Sequence, residues 1–343
     1  MSSTAPRLQV RGVNPSGESS VSGLFSQTTF SYGIFDFIAG ARYDMFTIDG
    51  AGSVAAGNPL GLPAGPYEVH KDESRLNPKA TLAANVTPWL QPYVTYSEAM
   101  RFPTVNETFV GGTHPGAGPP QFFFPNPFLE PEVAKGWEFG FNVKQDRVLT
   151  PYDIFRFKAA YFTLDVDNYI TACFGPGGET FFCNNPGISQ VQGVEVQGMY
   201  DARFAFVGLS YTYTHSDLPE QINGFGAQSF LPDHQASVTA GLRFFDQRLT
   251  TGARLFYASE GKVGATNESF GFRPTDPYTL VDLFTNYKFD NGLQLGATVT
   301  NVFDLAYTPA LTTGPTCSFA NPTPCDVELG RGRTFLLTAK AQF

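Results

Sequence analysis

Apolar and polar side chains alternate along several segments of the chain. Between 133 and 143 the odd positions carry mainly large apolar side chains, whereas the even positions are mainly small or polar. The same period of two recurs at 80–86, 293–303 and 335–343. Successive side chains of a strand point to opposite faces, so this period predicts β-strands. The second face of each segment is built from small and polar residues, chiefly Gly, Ser, Thr, Asn and Gln.

The connections between these segments are of two kinds, which alternate along the chain. Short turns are predicted near 34–36, 89–91, 146–152, 201–203, 246–248 and 290–292. The last of them, Asp290-Asn291-Gly292, is typical of a tight hairpin because Asn and Gly accept positive φ at little cost. Long Gly- and Pro-rich loops are predicted at 49–76, 103–131, 170–187, 217–232, 260–277 and 305–331. All short turns then lie at one end of an antiparallel sheet.

The pattern predicts an all-β fold, namely an antiparallel transmembrane β-barrel. Six hairpins and a terminal strand give about 13 strands, or 14 if Leu8–Gly12 forms one. Outer-membrane barrels have short turns on one side of the membrane and long loops on the other. The alternative is a soluble cup, which closes with about eight strands around an apolar interior. Here the strands are too many for such a cup, and the polar face suits a wet interior while the apolar face meets lipid.

Composition narrows the function. Only 15% of the residues are charged, against about 25% in soluble domains, and 15% are aromatic. The net charge of −9 argues against nucleic acid as a partner, because nucleic-acid-binding proteins present a basic face. The cysteines form two close pairs without the C-x-x-C spacing of a zinc site, which favours an oxidising compartment. We predict a disulfide within each pair, Cys173–Cys183 and Cys317–Cys325, each inside one external loop.

Several motifs resemble those of TonB-dependent outer-membrane receptors, specifically the C-terminal portion of their barrel. Tyr93–Thr104 is similar to the family's Y-x-x-Y-S-x-G-F-R-A-P-T, with Arg101 and Pro103 matching and Phe102 in place of Ala. Asn126–Glu132 resembles N-P-N-L-x-P-E, through Asn126, Pro127 and Leu129. Further similarities lie at 191–195, 299–307 and 330–334, and Phe343 resembles the C-terminal aromatic residue that the outer-membrane assembly machinery reads.

The resemblance covers about 27–343, with 1–26 only weakly assigned, and it implies the function of the whole chain. It implies a location in the outer membrane of a Gram-negative bacterium, contact with lipid, and uptake of an iron chelate. Receptors of this family have 22 strands and a plug domain through which the TonB complex acts. Neither a plug nor room for more than about 14 strands is visible, so we expect 1–343 to be the C-terminal part of a receptor barrel.

The resemblance also points to haem, alone or delivered by haemoglobin, as the transported ligand. Haem receptors of the family often place a haem-ligating histidine between the two motifs, and the single histidine in that interval is His114. Neutral imidazole is a good axial ligand for haem iron. Phe122, Phe123 and Phe124 could stack on the porphyrin, or they could equally pack the loop onto the barrel. A solvated loop histidine without a ligand is the alternative for His114.

Three other functions remain open from the sequence. A ferric-siderophore receptor would bind an anionic chelate through aromatic and Arg side chains, without a histidine ligand. An outer-membrane hydrolase would need a Ser or Asp beside His215 or His234 at the barrel rim. An inactive barrel fragment is the fourth reading. We expect no enzyme activity and no intrinsic cofactor. Five aromatic residues suit an interfacial girdle, although ordinary sheet packing predicts them equally: Tyr93, Tyr96, Trp137, Tyr211 and Tyr213.

Overall fold

The computed structural model describes residues 15–113, 123–218, 231–263, 273–309 and 327–341. These residues form fifteen β-strands and one short helix, α1 (Val105–Phe109). The strands are β1 (Gly17–Tyr32), β2 (Phe35–Val54), β3 (Gly65–Ala84), β4 (Leu90–Arg101), β5 (Glu132–Asp146), β6 (Ile154–Asp167), β7 (Ile170–Phe174), β8 (Thr180–Asn184), β9 (Ile188–Asp201), β10 (Ala205–Ser216), β11 (His234–Phe244), β12 (Leu249–Ala258), β13 (Tyr278–Lys288), β14 (Leu293–Thr300) and β15 (Thr334–Ala341). Within the described ranges no helix is long and apolar enough to cross a membrane.

Thirteen of the strands form one antiparallel sheet, which confirms the all-β prediction and the lower strand count. Each strand pairs with the next one along the chain, except that β6 pairs directly with β9. The hairpin of β7 and β8 is inserted at that point as a separate two-stranded sheet. In the described part of the chain the sheet ends at β1 and β15, which do not pair with each other. Leu8–Gly12, the possible extra strand, lies outside the described residues.

The six short turns predicted from the sequence are present at one end of the sheet. They consist of residues 33–34, 85–89, 147–153, 202–204, 245–248 and 289–292. Gly33 and Gly292 adopt φ values of 60° and 82°, a region that L-residues with a side chain rarely enter. The other end of the sheet, which we call the long-loop end, carries the longer connections.

One predicted loop is wrong. The segment 49–76 was expected to be a loop, but β2 continues to Val54 and β3 begins at Gly65, so the connection is only 55–64. The two strands pair over their full length, from Phe35↔Ala84 to Val54↔Gly65. Near the long-loop end both faces of these strands carry polar side chains. The hydropathy alternation therefore disappears while the backbone ladder continues.

One face of the sheet is apolar, and we call it the apolar face. Directly opposed residues in an antiparallel sheet share a face. Following these partners across eight strands gives an unbroken apolar row: Phe30, Phe37, Leu82, Val94, Phe139, Tyr161, Val194 and Tyr213. Several of these side chains are well exposed, with Phe30 at 58% and Phe139 at 50% of their full surface. An exposed apolar band of this extent indicates a surface that meets an apolar environment.

The residues predicted to form an interfacial girdle do not all lie on one face of the sheet. Tyr96 and Trp137 lie opposite each other on the apolar face, with ring centroids 5.0 Å apart. Tyr93 cannot share that face, because its position differs from that of Tyr96 by three, and positions that differ by an odd number point to opposite faces of a strand. Its hydroxyl donates instead to Glu138 on the polar face, and the ammonium of Lys158 lies 5.6 Å from its ring centroid. Tyr93 is therefore part of the polar wall.

Two clusters of buried apolar side chains lie at the long-loop end. One cluster consists of Val110, Phe123, Leu129, Ile170 and Phe182. A second cluster consists of Phe46, Ile48, Phe102 and Phe109. The rest of the sheet buries little between its strands, as expected for a sheet with lipid on one face and water on the other. The packed, specific structure is thus concentrated where the two sequence motifs lie.

Candidate functional site

The two motifs meet in a compact unit at the long-loop end, which we call the loop base. It consists of 101–112, 123–132 and the β7–β8 hairpin, 170–184. The segment 114–122 lies outside the described residues, and its two flanking residues are Thr113 and Phe123. The base therefore determines where that segment begins and ends.

Arg101 and Glu132 form a paired ion bridge at the centre of the loop base. Arg101 donates from Nε to Glu132 Oε2 at 2.6 Å and from Nη2 to Glu132 Oε1 at 2.5 Å. A third donation, from Nη1, reaches Glu107 Oε2 at 2.9 Å. Glu132 also accepts the backbone N–H of Ile170 at 2.8 Å and is only 7% exposed. Burial of a carboxylate is costly unless its oxygens accept hydrogen bonds, and here both oxygens do.

Glu107 has two roles in the loop base. Its backbone N–H donates to Thr104 Oγ1 at 3.2 Å, while its carboxylate accepts the Thr104 N–H at 2.8 Å. This reciprocal capping box starts α1 directly after the buried Pro103. The same carboxylate accepts from Arg101, so the helix start is joined to the end of β4. The T-x-x-E signal at 104–107 was visible in the sequence, and sequence reasoning missed it.

Asn126 connects the second motif to its neighbours through three bonds. Its backbone N–H donates to the carbonyl of Thr108 at 3.0 Å, and its Nδ2 donates to the carbonyl of Phe182 at 2.7 Å. Its Oδ1 accepts the N–H of Phe128 at 2.9 Å, which shapes the turn through Pro127. Leu129, at 1% exposure, fills the apolar cluster beneath. The motif residues thus hold the loop base together.

The structure describes two of the three predicted phenylalanines. Phe123 and Phe124 are buried, at 6% and 4% exposure, and Phe123 belongs to the apolar cluster under the loop. Phe123 also forms an antiparallel bridge with Gly112, with N···O distances of 2.9 and 3.0 Å. Both described rings are therefore packed inside the loop base, as expected from the alternative to stacking on a porphyrin. His114 and Phe122 lie outside the described residues.

The β7–β8 hairpin completes the loop base and contains a disulfide between Cys173 and Cys183, whose Cα atoms are 5.9 Å apart. The hairpin is bonded to the rest of the base, since the Phe124 N–H donates to the carbonyl of Thr180 at 2.8 Å. Cys317 and Cys325 lie outside the described residues.

A crevice of about 710 Å³ opens beside the loop base, where β3 and β4 separate. The ladder between these strands runs only from Lys79↔Ser97 to Ala83↔Tyr93. Nearer the long-loop end, where β3 and β4 are not paired, Lys71 Nζ donates to the carbonyl of Leu129 at 2.6 Å. Cationic and anionic side chains both line the crevice, which gives it no single charge preference.

The histidines considered for hydrolysis lie elsewhere. His234 begins β11, with Nδ1 2.9 Å from the Tyr211 hydroxyl and its ring 5.0 Å from that of Tyr213. His215 lies on β10 opposite Gln192. The hydrogen-bond partner that the structure shows for the His234 ring is thus a phenol, and not the Ser or Asp side chain that the hydrolase alternative required. Across the described ranges, no group of three or more His, Cys, Asp or Glu residues could hold a metal ion.

Comparison with known proteins gives consistent matches. Residues 2–302 match the family described as TonB dependent receptor-like, beta-barrel. A probable TonB-dependent receptor of Haemophilus influenzae is 24% identical, covering 91% of this chain and 40% of that protein. The heme/hemopexin utilization protein C of the same species is 28% identical over 69% of this chain and 36% of its own length. The chain therefore spans less than half of these relatives.

Two solved structures superpose on most of this chain. The hemophore receptor HasR of Serratia marcescens, in a complex with its hemophore HasA and heme, superposes with a TM-score of 0.74 at 28% identity. The superposition covers 98% of this chain and 53% of HasR. The copper transporter OprC superposes with a TM-score of 0.69 at 17% identity, a likeness that concerns the fold alone.

Proposed function

Because the chain belongs to the TonB-dependent receptor β-barrel family, we propose that it forms the barrel part of an outer-membrane receptor that takes up haem. The family consists of receptors and transporters rather than enzymes, which removes the hydrolase reading. In this proposal lipid covers the apolar face, and the polar face lines the interior. The TonB complex supplies energy through a plug domain in the complete receptor. The ligand arrives free or on a haem-carrying protein.

The observation that carries the haem assignment is the agreement among relatives of the chain. Heme/hemopexin utilization protein C, a hemin receptor of Yersinia enterocolitica at 26% identity, and HasR all carry haem or a haem carrier in their descriptions. These matches cover 69%, 52% and 98% of this chain, respectively. The ferric-catecholate import receptor Fiu superposes with a TM-score of 0.67 at 21% identity, a likeness that reports the fold and does not favour the ferric-siderophore alternative.

The geometry of the loop base supports His114 as an axial ligand of haem. The Gly112–Phe123 bridge closes the ends of the segment that contains it, two residues before His114. A rigid base close to a ligand limits its positional freedom and favours binding. With Phe123 and Phe124 buried, Phe122 is the member of the trio left for contact with a porphyrin.

The test is His114→Ala in the natural gene, scored by growth on haem as the iron source and by the Soret band of bound haem. We expect a shifted, weaker Soret band and reduced growth, because the iron loses a nitrogen ligand. His234→Ala is the matched control, since it removes an imidazole that lies outside the loop base. An unchanged band with unchanged growth would remove His114 from the site. Growth on a ferric siderophore but not on haem would favour the siderophore receptor.

A further inference from the structure

We infer that the Arg101–Glu132 pair positions the ligand-binding end of the receptor, with Glu132 as the principal positioning residue. The inference rests on the proposed haem function, and it concerns residues that do not contact the ligand. Both residues belong to the motifs, and both oxygens of Glu132 are engaged by Arg101. Their contacts are directed inward, to other parts of the loop base.

Glu132 lies where four elements converge. It is the first residue of β5, it is paired with the last residue of β4, and it accepts the N–H of the first residue of β7. Through Arg101 it is also coupled to Glu107 in α1. Because the carboxylate is buried and its two oxygens accept three donors, its position is narrowly defined.

The contacts form a closed circuit around the loop base. From Glu107 the path continues along α1 to the Thr108 carbonyl, which accepts the Asn126 N–H. Asn126 Nδ2 then donates to the Phe182 carbonyl in β8, and β8 pairs with β7. The Ile170 N–H at the start of β7 returns the path to Glu132. The Gly112–Phe123 bridge joins the two segments that this circuit connects, and the Phe124 N–H donates to the Thr180 carbonyl of the hairpin. We therefore expect the circuit to hold the bridge and the disulfide hairpin in a fixed relative position.

The chain contains a chemically matched pair at the opposite end of the sheet. Arg243 donates from Nη1 and Nη2 to the two oxygens of Asp201, at 2.7 and 2.8 Å. This pair joins β9 to β11 across the intervening β10, and it lies beside the short turn 202–204. Loss of either pair removes a paired Arg–carboxylate contact from the barrel. Only the loss of the Arg101–Glu132 pair should change the affinity for the ligand.

The experiment compares Glu132→Gln with Asp201→Asn, both made in the natural gene and purified in detergent. Haem is titrated by its Soret band, and folding is followed by heat-modifiable migration. We expect Glu132→Gln to weaken haem binding about tenfold, the scale seen when a residue that orients a ligand is removed. Asp201→Asn should change the affinity by less than about twofold, because surface and distant changes couple weakly. Arg101→Lys, which keeps the charge but loses the two-pronged geometry, should resemble Glu132→Gln.

The outcomes separate the two proposals. A wild-type receptor without a Soret band would overturn the haem function itself. A wild-type band together with unaltered titrations of folded Glu132→Gln and Arg101→Lys would overturn only the positioning role. Equal losses in Glu132→Gln and Asp201→Asn would also overturn it, because general destabilisation would then explain the effect. If Glu132→Gln does not fold, Arg101→Lys decides by the same comparison.

Discussion

The ring of Phe109 rests on Gly50, so closely that a β-carbon on this glycine would lie 2.5 Å from two ring atoms. Gly50 is paired in the ladder with Gly17 of β1, where an added β-carbon would lie 2.9 Å from the same ring. Two opposed glycines thus form a flat seat for the last residue of α1. The contact connects the loop base to the wall of the barrel, since Phe109 also belongs to the cluster with Phe46, Ile48 and Phe102.

Gly50→Ala should therefore lift α1 from the wall. Overpacking of this kind costs about 1–3 kcal/mol of unfolding free energy. Gly40→Ala is the control in the same strand, because its β-carbon would meet its nearest atoms at 3.6 Å, an ordinary contact. We expect faster proteolytic cleavage at the long-loop end of Gly50→Ala and wild-type cleavage of Gly40→Ala. Identical cleavage patterns in the two variants would contradict the seat.

The sequence predicted the strands of the sheet more completely than the contacts of the loop base. The alternation around Trp137 and Phe139 predicted β5 because one face meets an apolar environment while the other is polar. The alternation failed to predict the parts of β2 and β3 near the long-loop end, where Asp49 lies opposite His70 and both faces are polar. There the ladder is held by backbone bonds, which leave no hydropathy signal.

The loop base was less accessible for a different reason. Motif matching singled out Arg101 and Asn126, but their roles depend on partners distant in the chain, such as Ile170 and Phe182. Such pairings follow from the fold, and no periodicity in the sequence encodes them. The roles of Glu132 and Glu107 emerged only from the geometry, although both stood inside readable motifs.

Asp153 organises the turn 147–153 from within. Its carboxylate accepts the N–H groups of Val148, Leu149 and Thr150 at 2.6 to 2.8 Å, and the Tyr200 hydroxyl at 2.8 Å. Burial alone would raise the pKa of this carboxyl, but the hydrogen bonds outweigh it and lower the pKa to about 2. An isosteric amide cannot accept all of these donors. We therefore expect Asp153→Asn to be less stable than wild type in urea unfolding at neutral pH.

The stability difference between wild type and Asp153→Asn should depend on pH in a defined direction. The folded pKa of about 2 lies below the unfolded value, which is about 3.9 for Asp. The contribution is therefore fully present above about pH 4 and disappears as the pH falls through about 2. Asp290→Asn is the control, because this side chain lies at another short turn, is 76% exposed and forms a surface ion pair with Arg248. A difference that persists unchanged at pH 2 would show that the carboxylate charge is not responsible.

Both cysteine pairs should be oxidised in the mature protein. Cys173 and Cys183 close a small loop within the β7–β8 hairpin, and such a bridge stabilises by ~3 kcal/mol at most. The pair Cys317–Cys325 stays a prediction from spacing. Alkylation under denaturing conditions, followed by mass measurement, should label no thiol before reduction and four after it. Labelling of all four without reductant would contradict both bridges, and labelling of two would identify the pair that is open.

In the described part of the chain the sheet has two open edges, β1 and β15. All sixteen residues of β1 and all eight of β15 are exposed, and neither strand has a second partner in the described ranges. Unpaired N–H and C=O groups cannot be satisfied by lipid, and open edges promote association between chains. A polypeptide limited to these 343 residues should therefore fail to form a closed, monomeric barrel in detergent unless further strands are supplied. Refolding into micelles, followed by unheated gel electrophoresis and light scattering, measures this directly. We expect oligomers without a heat-modifiable band, and a compact, heat-modifiable monomer would show that β1 and β15 close on each other.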